Sequence, residues 1–432
     1  MTNKTENNKP TKVRYTILAA VFVNVVINYM DRSNISVAAP FISKELELDT
    51  VQMGYIFSAF GWTYATLQIP GGVLADRLGI KMLYSICLIG WSIATILQGF
   101  AVGFVVIVAL RILIGAFEAP SYPMNNRIVT SWFPDNERAG AIALYTSGQF
   151  IGLAFLTPAL IAIEHYFGWR ALFFLTGGIG LLWGVIWYFF YRSPTQHKGV
   201  NKAELAHIEE GGAILDDAES EGDEEEKFQW SHLALVLSKR KLWGVYLGQF
   251  GLGATLIFFL TWFPKYLVEY KGMDFLQSGI MASIPFIFAF FGVLLSGFVS
   301  DYLTKRNVSV ATARKAPIVT GLLLSTSIIG ANYTSDPFWV TFFMSTAFFG
   351  NGLASIAWVF VSLLAPKKLI GLTGGTFNFI GGLSTIVVPI TIGFLVKDGD
   401  FAPALVFICA LTLMGAMSYI FLVGKIKRIE ME

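Results

Sequence analysis

The sequence is short of charge. Asp, Glu, Lys and Arg make up only 14% of its 432 residues, where a soluble domain carries roughly a quarter. Cysteine is scarcer still: Cys87 and Cys409 are the only two, and both sit in apolar runs. That excludes a disulfide framework and a cysteine-based metal centre. Of the four histidines, His165 falls between two apolar runs and His207 in a polar stretch; neither has the neighbours of a ligand or a base. The net charge of +2 offers no field for nucleic acid. No G-x-x-x-x-G-K-[ST] run occurs, so nothing in the chain is built to hydrolyse ATP. No cofactor and no metal are expected.

What is present is apolar length. Residues are 55% hydrophobic, with a mean hydropathy of +0.61. Runs of about 20 apolar residues span a hydrocarbon core of about 30 Å. The pattern predicts an all-α membrane protein with helices over 15–41, 51–73, 80–100, 102–126, 139–162 and 168–192, then 242–268, 277–300, 316–333, 337–364, 369–396 and 401–424. The first stretch, 1–14, is polar and basic and has no small-residue cleavage site, so the first helix is expected to be retained. The division is 1–192 as an N-terminal six-helix half, 193–241 as a cytoplasmic linker, and 242–432 as a C-terminal six-helix half. The linker opens as an amphipathic segment and contains an acidic run, Asp216 to Glu226, which reads as solvated.

Most of the 31 lysines and arginines fall in the N-terminus, the linker, the C-terminus and every second loop between them. Cytoplasmic loops carry that excess, so both termini and the linker are expected in the cytoplasm. A repeat relates the halves at a constant offset: Gln52 and Gln277, Gly54 and Gly279, Gly72 and Gly297, Asp76 and Asp301. Two pseudo-symmetric halves with a substrate site between them is a recurrent carrier plan.

Four charges stand where lipid forbids them. Asp31 and Arg32 lie in Tyr29-Met30-Asp31-Arg32-Ser33-Asn34, flanked by apolar residues on both sides, and Arg111 and Glu118 lie in another apolar run. A charge at mid-bilayer costs about 2.5–3.5 kcal/mol on insertion scales. Such groups persist when they face a wet cavity or one another. Arg111 and Glu118 are seven residues apart, on one face of a helix and about 10 Å apart along it; each can meet a group of the first helix, and Asn125 continues the stripe. With both acids protonated the four carry a charge that invites an anion; with both ionised they are neutral and release it. That is the arithmetic of a symporter. Two fixed salt bridges holding helices together would be a weaker use of such residues, since buried pairs stabilise poorly once desolvation is counted. The second half offers uncharged polar and aromatic groups: Gln249, Trp262, Asn351, Ser355, Trp358 and Asn378.

Gly72-Val73-Leu74-Ala75-Asp76-Arg77-Leu78-Gly79-Ile80-Lys81 resembles the loop 2–3 signature of the major facilitator superfamily, with Ile80 in place of one basic residue. Gly72, Asp76, Arg77, Gly79 and Lys81, with Asp301 in the weaker second copy, are expected to form a gate. Tyr29 to Asn34, Gln68-Ile69-Pro70-Gly71-Gly72, Phe117-Glu118-Ala119-Pro120, Ser131-Trp132-Phe133-Pro134 and Gly371-Leu372-Thr373-Gly374-Gly375 resemble the anion:cation symporter family within it. The resemblance covers nearly the whole chain. Tyr145 to Phe150 followed by Gly152 to Pro158 are most similar to the D-galactonate:proton symporters of bacteria, with glucarate and galactarate carriers close. The resemblance implies a major facilitator fold, a bacterial inner-membrane location and import of a sugar acid with protons by a monomer. D-galactonate is the first expectation; glucarate, galactarate or a hexuronate are the alternatives, as is a carrier-like ligand sensor. It also implies that Asp31 and Glu118 carry protons and that Arg111 modulates Glu118. Arg32 would pair with the substrate carboxylate, and Tyr29, Tyr64, Gln149, Ser355, Trp358 and Asn378 would face the sugar acid. Ala357 departs from the galactonate pattern, which has threonine there.

Overall fold

In the computed structural model the described residues are 9–213, 215, 230–306, 308–366, 369–424 and 426–430. The acidic run Asp216 to Glu226 lies outside them. Among the described residues the fold is all helix, apart from one isolated bridge between Lys397 and Asp400. The first half contains α1 (Val13–Glu45), α2 (Thr50–Leu78), α3 (Ile80–Gln98), α4 (Phe104–Glu118), α5 (Ser121–Trp132) and α6 (Asp135–Phe190). At 1.5 Å per residue α6 would reach about 84 Å if straight, far more than one bilayer. It turns back at Gly168, where φ is 80°, a conformation that needs glycine. The two predicted segments 139–162 and 168–192 are its two arms. Among the described residues ten helices are long and apolar enough to cross a membrane, and α6 is counted once among them.

The linker is more ordered at its ends than a solvated stretch requires. α7 (Lys202–Glu210) and α8 (Trp230–Ser238) both form within it. α7 is capped by the Asn201 side chain, which accepts from the Glu204 N–H, and it buries Glu204 and Ile208 against the first half.

The second half contains α9 (Arg240–Thr261) and α10 (Phe263–Lys265), followed by a π-turn over Tyr266–Tyr270. Next come α11 (Phe275–Lys305), α12 (Val310–Ser325) and a 3₁₀ turn over Thr326–Tyr333. α13 (Pro337–Leu353) leads through a second 3₁₀ turn, Ala354–Trp358, into α14 (Val359–Leu364). α15 (Ile370–Gly382), α16 (Ser384–Leu395) and α17 (Ala402–Phe421) complete it. The 3₁₀ interruption inside the predicted helix 337–364 follows a tight crossing. A Cβ at Gly352 would collide with the Ala289 carbonyl, and one at Gly350 with the Gly321 carbonyl, so α13 runs close against α11 and α12 just before it changes pitch.

The halves meet along α2 with α16 and along α6 with α11. Their side-chain contacts gather at the end of the bundle away from the termini. Phe41 meets Phe275 edge-on at 4.8 Å, Phe57 meets Trp262 at 5.0 Å, and Lys265 Nζ donates to Ser43 Oγ at 3.1 Å. Gly54 lies against the Pro389 carbonyl and Gly393, and Gly279 against Ile161. The bundle is sealed at that end.

Candidate functional site

Asp31 and Arg32 are neighbours in sequence, so helical geometry points them about 100° apart, and the surroundings divide accordingly. Arg32 faces α2 and α4. Its Nε donates to Glu118 Oε2 at 2.9 Å, and its guanidinium lies over the rings of Tyr64 (4.3 Å), Phe60 (4.8 Å) and Tyr29 (5.0 Å). A cation over aromatic faces is favoured more strongly where water is excluded. Arg32 keeps some exposure, whereas Glu118 has none, so the arginine is the member of the pair that a ligand can reach.

Asp31 faces the interior of the first half. Its Oδ1 accepts from Asn34 Nδ2 at 3.2 Å, and Asn34 also donates to Thr176 Oγ1 on α6 at 2.8 Å. Arg111 is buried beneath Phe60, with its guanidinium 5.1 Å from the ring. Its Nε and Nη1 find no hydrogen-bond partner among the described residues. Arg32, rather than Arg111, is therefore the cation that touches Glu118. Asn125, on α5 beyond the Ala119-Pro120 step, accepts from Tyr84 Oη at 2.9 Å and belongs to the packing of α3 against α5.

Tyr29, Tyr64 and Gln149 come together around Arg32 with the help of a residue the sequence did not advertise. Tyr122 donates to Tyr29 Oη at 3.4 Å and reaches Gln149 Oε1 at 3.5 Å, linking α1, α5 and α6. It sits in Ser121-Tyr122-Pro123, inside the predicted helix 102–126, which the structure divides into α4 and α5 at Ala119-Pro120. The signal that could have found it is an amphipathic ring about one turn beyond Glu118, on the face that Glu118 shares with Arg111.

On the second half, Ser355, Trp358 and Asn378 all present exposed side chains. Among the described residues neither Ser355 nor Asn378 hydrogen-bonds to the first-half cluster. Ser355 and Trp358 sit in the 3₁₀ turn, where positions i and i+3 eclipse, so they share one face. Ala357 does not; it is buried with Leu322 and Phe360 in the second half's own core. Trp358 is positioned by Phe377, 5.0 Å between ring centres, and by Gly374 of α15. Asn351 donates to the Leu252 carbonyl at 2.8 Å and is spent on helix packing. Gln249 lies against Gly381, and Trp262 is fully buried in the seal.

In the segment expected to form a gate, Gly79 adopts φ 73° between α2 and α3, and Lys81 Nζ sits 4.4 Å from the Tyr188 ring. Gly72 and the side chains of Asp76, Arg77 and Asp301 lie outside the described positions.

With this geometry in place, comparisons give it a context. The sequence matches the Major Facilitator Superfamily over residues 21–389. It is 52% identical to a D-galactonate transporter of Escherichia coli O6:H1 over 422 residues, 98% of each chain. It is 42% identical to the "Probable galactarate/D-glucarate transporter GudP" of Bacillus subtilis, over 99% of this chain and 96% of that one. The fold is shared with a crystal structure of a bacterial homolog of the human lysosomal transporter Spinster, inward-facing and occupied. The TM-score is 0.70 at 20% identity, covering 96% and 95% of the two chains.

Proposed function

The chain belongs to the Major Facilitator Superfamily, and from that premise we propose that it is a proton-coupled symporter importing D-galactonate. It is a carrier, not an enzyme. The fold supports twelve crossings in two halves, 1–192 and 242–432, joined by the linker 193–241. Basic residues in the termini and linker support a cytoplasmic placement of both ends in a bacterial inner membrane. The substrate path lies between halves of one chain, so a monomer suffices.

The observation that carries the reading is the buried Arg32–Glu118 pair. Ionised Glu118 occupies the guanidinium that a sugar-acid carboxylate needs. Protonated Glu118 releases it, because a neutral acid competes poorly with a carboxylate for a cation. Substrate and proton then bind together and leave together. Asp31 is the second proton carrier. Arg111, buried in the same half, biases Glu118 from a distance. Tyr29, Tyr64 and Gln149, with Tyr122, form one wall around the sugar acid; Ser355, Trp358 and Asn378 form the other. The Gly72–Lys81 segment and Asp301 act as the gate.

The 52% relative favours galactonate over the diacids. A packed Ala357 leaves that preference to the exposed second-half residues. Purified protein in proteoliposomes, given an inward pH gradient, should accumulate labelled galactonate. Unlabelled galactonate should compete best, ahead of glucarate, galactarate and glucuronate. Accumulation that ignores the pH gradient would refute the coupling; better competition by glucarate would reassign the substrate.

A further inference from the structure

The first half contains a second polar feature, behind Asp31 and away from the substrate wall. Trp91, Thr95 and Gln98 occur at i, i+4 and i+7 on α3, so they share one face, and all three are buried. The α3–α6 seam is close: Gly177 and Gly180 of α6 pack directly on Ser92 and Ile96 of α3. Thr176, next to Gly177, holds Asn34, which in turn holds Asp31. The Trp91 indole N–H faces the Asp31 carboxylate without closing a hydrogen bond.

This seam is unusual in how many polar atoms it leaves unpaired. Among the described residues, Asp31 Oδ2, Asn34 Oδ1, Trp91 Nε1, Thr95 Oγ1 and both amide atoms of Gln98 have no hydrogen-bond partner. Thr157 and Thr176, by contrast, bond the carbonyl one turn back. Buried polar atoms are nearly always paired, and where protein does not pair them, water does. From Trp91 to Gln98 the helix rises about 10 Å, which about three hydrogen-bonded waters cover. Gln98 is the last residue of α3, at the sealed end of the bundle. The charged groups acting on Asp31 are Glu118 and Arg111. Arg32, the cation on the substrate side of α1, opposes a proton arriving from there.

We propose that the Trp91–Thr95–Gln98 face of α3, with Asn34 and Thr176, binds a file of waters. This file delivers protons from the outer membrane surface to Asp31, separately from the substrate cavity. The proposal rests on the proton-symport reading. A proton enters as hydronium beside Gln98, hops along the waters past Thr95, and ends on Asp31 Oδ2; no other bond changes.

The test is the double variant Thr95→Val/Gln98→Leu, close in volume to the native pair, with Thr95→Ser/Gln98→Asn as a polar control. Two rates are compared in proteoliposomes: galactonate-driven proton entry, read by a trapped pH dye, and galactonate exchange at equal pH. The apolar double variant should slow proton entry about tenfold or more, keep exchange within about twofold, and be rescued by the polar control. Wild-type proton entry in the apolar variant, with coupling intact in the native protein, overturns the water file alone. Equal loss of both rates, or no rescue, makes the face structural and overturns it too. Absence of any coupling in the native protein overturns the symport reading and this path with it.

Discussion

Arg32 and Glu118, 86 positions apart in the chain, are locked Nε to Oε2 at 2.9 Å, and both lie inside the first half. In the proposed symport the pair makes Glu118 a competitor of the substrate, and that has a measurable sign. Glu118→Gln removes the competing charge permanently. Galactonate binding at alkaline pH should then tighten by about tenfold, a change of about 1.4 kcal/mol, and lose the part of its pH dependence that Glu118 supplies. Accumulation driven by a pH gradient should vanish while exchange persists. Isothermal titration at three pH values, beside uptake, measures both; unchanged pH dependence would separate Glu118 from coupling.

The aromatic collar around Arg32 gives a second test. Tyr64, Phe60 and Tyr29 all approach the guanidinium face within 5.0 Å. A lysine ammonium carries the charge but neither the planar fork nor the stacking surface. Arg32→Lys should weaken galactonate binding about 10–100-fold, whereas Tyr64→Phe, which keeps the ring, should stay within about threefold. A lysine variant of native affinity would show that the carboxylate is held elsewhere.

The buried charges and the helices were legible because the bilayer penalises a misplaced charge and demands unbroken apolar length. Asp31, Arg32, Arg111 and Glu118 therefore stand out of the sequence, but which of them touch does not. A separation of seven residues fixes a face, not the partner across it. Tyr122 stayed hidden because an uncharged ring in an apolar helix carries no penalty that marks it. Glu204 stayed hidden because Lys-Ala-Glu-Leu-Ala-His-Ile-Glu-Glu reads as a surface helix and names no acceptor site. The Trp91–Thr95–Gln98 spacing was readable as a polar face in an apolar helix, but its meaning depended on α1 and α6 closing over it. Ala357 is the opposite case: sequence marks it as a missing ligand, and the 3₁₀ turn rotates it into the core.

The seal at the end away from the termini rests partly on backbone-to-backbone contact, which a side chain can wedge open. An ideal Cβ at Gly54 would stand 2.7 Å from the Pro389 carbonyl oxygen and 3.4 Å from Gly393 Cα. Backbone cannot yield as a flexible side chain does. Gly54→Val should hold the halves apart there, abolishing net uptake while galactonate still binds from the outer side. A cysteine placed at Ser43, half-buried where its hydroxyl accepts from Lys265 of the second half, should label faster with an impermeant maleimide in the Gly54→Val background. Native labelling and native uptake would mean that α2 and α16 slide to absorb the methyl groups.

At the opposite end, Glu204 ties the linker to the first half. It is fully buried and accepts from Thr11 Oγ1 (2.5 Å), the Val13 and Arg14 N–H groups (both 3.1 Å) and Arg14 Nη1 (3.2 Å). The first-turn N–H groups of a helix have no partner within it and favour an anion, so α7 supplies the cap that α1 lacks from its own N-cap residue. Arg14 is shared with Glu137 at 3.0 Å, which also meets His207 at 3.1 Å. Glu204→Ala would leave buried donors and Arg14 half-paired, at a cost of about 2–3 kcal/mol. It should lower the unfolding temperature in detergent by several degrees, with Glu204→Gln intermediate because it keeps acceptor shape without charge. His207→Ala touches only the partly exposed edge of the network, where ion pairs contribute about 0–1 kcal/mol, and should change the midpoint little. If Glu204→Ala unfolds at the native temperature, α7 is held by Ile208 and its neighbours instead, and the linker's attachment is apolar rather than ionic.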